Sequence, residues 1–182
     1  HSPLRIRPLP VLAKELPTAP VGRLGIGIGG DDAELVTLPL ASLLVVGPPE
    51  SGRSTVLANL AAQVVSSHQM VHLTSTSSAS PSDPVCALES ILVVDDLDDL
   101  PVLLGDVVTK HLASGGIVFA SARTDRVTST YHGPLGAIRA FGRGVVLTPS
   151  IPGADHVFDI GLWSARNPAR ERHPGYGAVV EG

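Results

Sequence analysis

Cysteine, aromatic rings and charge are all scarce in this chain. One cysteine, Cys86, excludes an internal disulfide and a thiolate metal cluster, and it fits a reducing compartment. Three Phe, two Tyr and one Trp in 182 residues leave the core to aliphatic side chains. That favours Val/Ile/Leu strands packed under helices over an aromatic sandwich. Charged residues make up 16%, and 13 basic against 17 acidic side chains give a net charge of -4. This balance disfavours a direct grip on DNA through its phosphates. No apolar run approaches the roughly 20 residues needed to cross a bilayer, and no signal peptide is evident. No membrane contact is therefore expected of this domain itself. What is present is globular: 43% hydrophobic residues and a length suited to one domain. The opening His1-Ser2-Pro3, without an initiator Met, is what a piece of a longer chain would have.

Pro3, Pro8, Pro10, Pro17 and Pro20 predict an extended entry segment or linker over 1–20, since each proline removes a donor and disfavours helix before it. A single domain is expected over 21–182. Strands are predicted at 24–30, 34–40, 42–46, 71–73, 91–94, 116–121, 145–147 and 176–180. Helices are predicted at 54–66, 102–113 and 134–141, and a Ser/Thr/Pro-rich loop at 74–83. Strands alternating with helices imply an α/β fold, a mainly parallel sheet with helices on both faces.

Between a buried strand and a helix lies Gly47-Pro48-Pro49-Glu50-Ser51-Gly52-Arg53-Ser54, followed by Thr55. This is the context of a phosphate-binding loop, whose glycines let backbone amides turn inward beneath a helix N-terminus. Ser54 stands where a hydroxyl would ligate Mg²⁺, and Thr55 where a side chain could contact the α-phosphate. The usual Lys is replaced by Arg53, which is larger and planar and either holds phosphate from outside or crowds it. A Gly-rich strand-to-helix turn with no ligand fits the same residues.

A second element is Ile91-Leu-Val-Val-Asp95-Asp96. Four apolar residues followed by acids put Asp95 at a strand's carboxyl end, where a carboxylate orders Mg²⁺-bound water. Asp96 is the candidate base, one methylene shorter than the Glu such ATPases use, and a misplacement of about 1 Å costs a large factor in rate. Asp98 and Asp99 read as helix caps.

With those pieces in order, the sequence resembles the FtsK/SpoIIIE ATPases, and among them the C-terminal ATPase modules of actinobacterial type VII secretion proteins. Further matching pieces are Ile26-Gly-Ile-Gly-Gly-Asp-Asp32, Gly133-Pro-Leu-Gly136, Gly144-Val-Val-Leu147 and Gly175-Tyr-Gly-Ala-Val-Val180. The resemblance implies a RecA-like P-loop NTPase domain, one of several tandem copies in a cytoplasmic motor tethered to the cell membrane by other parts of its chain. It implies ATP and Mg²⁺ as ligands, with Gly47–Ser54 as the nucleotide loop, Ser54 and Asp95 at the metal, Asp96 as a weakened base and Ser121 as a polar sensor of the γ-phosphate. The implied partners are sister ATPase domains and a secreted substrate protein. Arg53 and Asp96 both depart toward lost hydrolysis, as in degenerate copies that serve regulation, assembly or substrate recognition. An active translocating motor and a nucleotide-free interaction module remain open beside that reading.

Other signals carry less. Gly25–Gly30 fits G-x-G-x-x-G, but an acidic, strand-like stretch follows it where a dinucleotide site needs a helix. His68 and His72 have no carboxylate nearby in sequence to complete a metal set. Arg139, Arg143, Arg166, Arg170 and Arg172 read as a solvated surface, or one of them as an arginine finger toward a neighbouring nucleotide. Trp163 reads as a core or docking anchor.

Overall fold

The computed structural model describes residues 16–30, 32–74 and 90–182. Most of the expected entry segment, and all of the expected loop after Thr74, lie outside the described residues. Contacts gather the chain into two compact units, 1–40 and 41–182, where the sequence suggested one domain from 21 onward. The reason is strand pairing: β1 (Arg23–Gly29) and β2 (Glu34–Pro39) make a two-stranded antiparallel sheet of their own. The Gly25–Gly30 stretch thus forms β1 and the turn into β2, and no helix follows it to receive a pyrophosphate.

The second unit holds a six-stranded sheet. In chain order its elements are β3 (Leu43–Gly47), α1 (Arg53–Val64), β4 (Gln69–Leu73), β5 (Ser90–Val94), α2 (Val102–Ala113), β6 (Ile117–Arg123), α3 (Thr124–Ser129), α4 (Gly133–Arg139), β7 (Gly144–Leu147) and β8 (Gly177–Val180). In space the order is β4-β5-β6-β3-β7-β8. All pairings are parallel except that of β8 with β7. The expected RecA-like α/β architecture is therefore present, closed on one side by an antiparallel edge.

Its central strands carry no polar alternation because both their faces are covered. Every residue of β3 and of β5 is buried. Leu44, Val46, Leu92, Val94, Val118 and Ala120 share one core with Val108 and Leu112 of α2 and Leu135 and Ile138 of α4. Side chains of opposite parity, such as Leu43, Val45, Ile91, Val93 and Phe119, are equally buried and face the other way. Helix α1 covers that second face with Leu57, Leu60 and Val64. Opposite faces follow from right-handed crossovers, since α1 carries the chain toward β4 and α2 carries it back toward β6.

The short α3 was not anticipated, as six residues are too few to show a helical period. Trp163 is 73% exposed, which removes the core alternative for it. The largest fully buried side chain is Phe119, at the middle of the sheet. Truncating it by Phe119→Ala should cost about 3–5 kcal/mol of unfolding free energy. Urea denaturation checks this, and a loss below about 1 kcal/mol would mean the core closes around the gap.

Candidate nucleotide site

Parallel strands bring their carboxyl ends to one edge of the sheet, and the polar residues of this unit gather there. Register pairs Gly47 of β3 with Arg123 of β6, and Val94 of β5 with Ala120. The loop after Gly47 and the acids after Val94 therefore stand on either side of the end of β6.

The loop is shaped by two left-handed residues, Glu50 (φ 63°) and Gly52 (φ 99°). Glycine is required at 52 on two counts: its φ, and a Cβ that would sit 3.2 Å from the Gly175 amide nitrogen. At the loop's base a Cβ on Gly47 would run into Ser51 Oγ. That hydroxyl is therefore folded inward over the base of the loop. Ser51 is only 7% exposed, and its Oγ has no hydrogen-bond partner among the described residues. Helix α1 begins immediately afterwards, its ladder starting with Val56 N–H on the Gly52 carbonyl (3.0 Å). The preceding carbonyl, that of Ser51, accepts the Gly175 N–H at 2.8 Å. The first-turn amides have no carbonyl one turn back to bond and are left as free donors with the positive end of the helix dipole.

Arg53 does not point out of the loop. Its Nη1 donates to the Gly47 carbonyl at 2.9 Å and its Nη2 to Asp96 Oδ1 at 2.7 Å. The guanidinium side chain is 12% exposed and the carboxylate 46%, so water weakens but does not erase the pair. A tie of this exposure contributes on the order of 1 kcal/mol. Its structural effect is larger than its energy, because it clips the loop after Gly47 to the end of β5.

The acids are held by a third strand. Ser121 of β6, fully buried, donates its hydroxyl to Asp95 Oδ1 at 2.6 Å and accepts the Asp96 N–H at 2.9 Å. A hydroxyl has one proton to give, so Ser121 spends its donor on Asp95 and positions both acids. Asp96 adopts φ 52°, a left-handed conformation that Asp tolerates better than most side chains. Of the other expected residues, Ser54 and Thr55 lie exposed on the first turn of α1, Pro49 and Glu50 are exposed on the loop, and Pro48 is half-buried.

Three contributors were not foreseen. Thr124, next in chain to the Arg123 that pairs with Gly47, buries a second hydroxyl with no partner among the described residues. The segment before β8 fastens the loop from outside: besides Gly175 on Ser51, the Tyr176 carbonyl accepts Thr148 N–H at 3.0 Å. Glu171 in turn accepts from the backbone N–H of Ser150 and of Asn167. Gly175 and Tyr176 open the closing Gly175–Val180 piece noted in the sequence, but nothing there marked them as a strap. Third, Asp98 caps no helix; its Oδ1 takes the Arg123 N–H at 3.2 Å, and its Oδ2 is buried without a partner among the described residues.

The arginines of the last quarter that carry side-chain contacts are engaged at home. Arg139 pairs with Asp159 and lies 5.1 Å from the Tyr131 ring centre, while Arg166 pairs with Asp155 and stacks 4.2 Å from Trp163. His68 follows α1 and His72 lies on β4, so they do not share a helical face.

No protein-family model matches the chain, and no curated protein matches it in sequence. Solved structures do match in shape. The cytoplasmic domain of EssC superposes over 97% of this chain with a TM-score of 0.70 at 14% identity. EssC ATPases 2 and 3 from Geobacillus thermodenitrificans cover 88% with a TM-score of 0.66 at 12% identity. The fold is that of these ATPase domains. EccC ATPases 2 and 3 from Thermomonospora curvata, solved in complex with a signal sequence peptide, cover 78% with a TM-score of 0.56 at 19% identity. The chain spans 45%, 39% and 37% of those three chains, less than half of each.

That fold implies a nucleotide with Mg²⁺, and the residues fit the two unequally. The inner part of the loop fits phosphate, because it offers the first-turn amides of α1. The outer part fits a metal and a terminal phosphate poorly, because Asp96 is paired with Arg53 and one oxygen of Asp95 is taken by the Ser121 hydroxyl.

Charge at this edge is tested by Asp98. Burial pushes its carboxyl above the ordinary 3.8, with Asp99 and Asp96 adding to the rise and backbone hydrogen bonds opposing it. The folded state then holds the proton more tightly than the unfolded chain, so stability falls as pH rises from about 3.8 through the raised value. Asp98→Asn should abolish that acid-side decline and leave the variant the more stable protein at neutral pH. Urea midpoints across the acid-to-neutral range check this; parallel wild-type and variant profiles would exclude it.

Proposed function

We propose that residues 41–182 form a degenerate nucleotide-binding module of a larger FtsK/SpoIIIE-type secretion ATPase. It binds nucleotide weakly, hydrolyses little or none, and serves regulation, assembly or substrate recognition in protein export. The observation that carries the reading is the Arg53–Asp96 tie, 2.7 Å long, which engages the carboxylate expected to act as base. To take a proton from an attacking water, Asp96 would have to present the carboxylate that Arg53 holds, and its neighbour Asp95 is held by Ser121.

The partners that follow are sister ATPase domains of the same assembly, as in the tandem ATPases of EssC and EccC, and a secreted polypeptide, as the peptide-bound EccC structure suggests by likeness. The module would act on the cytoplasmic side, beside membrane-anchored parts of its complex.

Two measurements on the purified chain test this. Titration calorimetry should detect nucleotide, and nucleotide at about 100 times its dissociation constant should stabilise the fold by about 2.7 kcal/mol. Steady-state turnover should stay well below about 1 per second, the low end for ordinary enzymes. Turnover at or above that rate would establish an active motor instead, and absence of any binding would leave a nucleotide-free interaction module.

A further inference from the structure

The two halves of the phosphate loop point to different ligands. In an intact loop the cationic side chain reaches the β- and γ-phosphates, and the strand-end acids address the metal and the terminal phosphate. Here the inner donors are free while the outer groups are already paired with one another. Gly52 and the first turn of α1 present unbonded amides, and Ser51 Oγ, in a residue only 7% exposed, lies over Gly47 with no partner among the described residues. That hydroxyl has almost no accessible surface, so it braces the base of the loop and leaves anion contact to the first-turn amides.

The outer half is filled by side chains. Arg53 gives two donors of its planar fork to the Gly47 carbonyl (2.9 Å) and to Asp96 (2.7 Å). Swinging it out to a γ-phosphate would break both bonds and leave the Asp96 carboxylate facing that phosphate with no cation between them. A divalent cation at Asp96 would meet the Arg53 guanidinium already on the same carboxylate. The other acid, Asp95, accepts the Ser121 hydroxyl at 2.6 Å.

We propose that this loop takes a nucleoside diphosphate in preference to the triphosphate, and that it does so without a divalent cation. A diphosphate uses the inner donors, stops before the paired outer groups, and carries less negative charge toward Asp96. The proposal rests on the nucleotide reading above and names the ligand class of that same loop. Arg53 thus becomes a specificity-determining residue: by closing the terminal-phosphate position it reverses the usual order of affinities.

The test is calorimetric titration of the purified chain with ADP and with ATP, each in excess MgCl₂ and again in EDTA. ADP is expected to bind at least about tenfold more tightly than ATP, with its affinity essentially the same in both buffers. Asp96→Asn removes the charge that holds Arg53 and should bring ATP up to the affinity of ADP. Tighter or equal binding of ATP by the wild-type chain overturns the preference, and loss of ADP binding in EDTA overturns the independence from metal. Both of those outcomes leave the nucleotide-binding module standing. Failure of either nucleotide to bind in any buffer removes the proposal and the nucleotide reading together. Circular dichroism verifies that the variant folds; if it does not, the four wild-type titrations decide alone.

Discussion

Everything in the second unit depends on one constraint, that a parallel sheet covered on both faces has no place for a polar side chain except at its edges and strand ends. Strands β3 and β5 are buried from end to end, so their apolar runs stop abruptly, one at Gly47 and the other at Asp95. Parallel pairing then carries those endings to the same edge. The loop, the acids and the serine that joins them were not gathered by attraction to each other. They are gathered because the hydrophobic strands before them have to lie side by side.

Within that frame the site is held by a short closed set of contacts. Ser121 fixes Asp95 and Asp96 from β6, Arg53 fixes Asp96 from α1 and returns to Gly47 on β3, and Gly47 pairs with the end of β6. Three strands and a helix are thereby cross-linked through side chains of modest individual strength. In an ATPase a bound metal and nucleotide span these same elements. Here the protein's own groups span them.

Much of this was legible in the sequence, for identifiable reasons. Glycine spacing, an apolar run ending in acids and the order of the two motifs are one-dimensional signals, and they located Gly47, Gly52, Asp95 and Asp96 correctly within the fold. Ser121 was expected at a strand end, but β6 runs on to Arg123 and holds it two residues inside. What no spacing conveys is the direction of a long side chain. Arg53 in the loop left open whether it would grip a phosphate from outside or crowd it, and only its placement beside Asp96 decides where the charge goes. The strap across Ser51 was hidden for a related reason, since its bonds are made by backbone N–H and C=O groups that every residue carries. The boundary after residue 40 was missed because β1 and β2 look like two more strands of a sheet until their pairing partners are known.

The antiparallel β8 has a consequence for chain traffic. The chain enters the second unit at the start of β3 and leaves it at Val180, which pairs with Gly144, itself the partner of Leu44. The start of β3 and the end of β8 therefore lie two strands apart at the amino-terminal end of the sheet, opposite the loop after Gly47. A parallel last strand would have delivered the chain to the loop's own edge. With this arrangement neither the entry to β3 nor the end of β8 crosses the mouth of the loop.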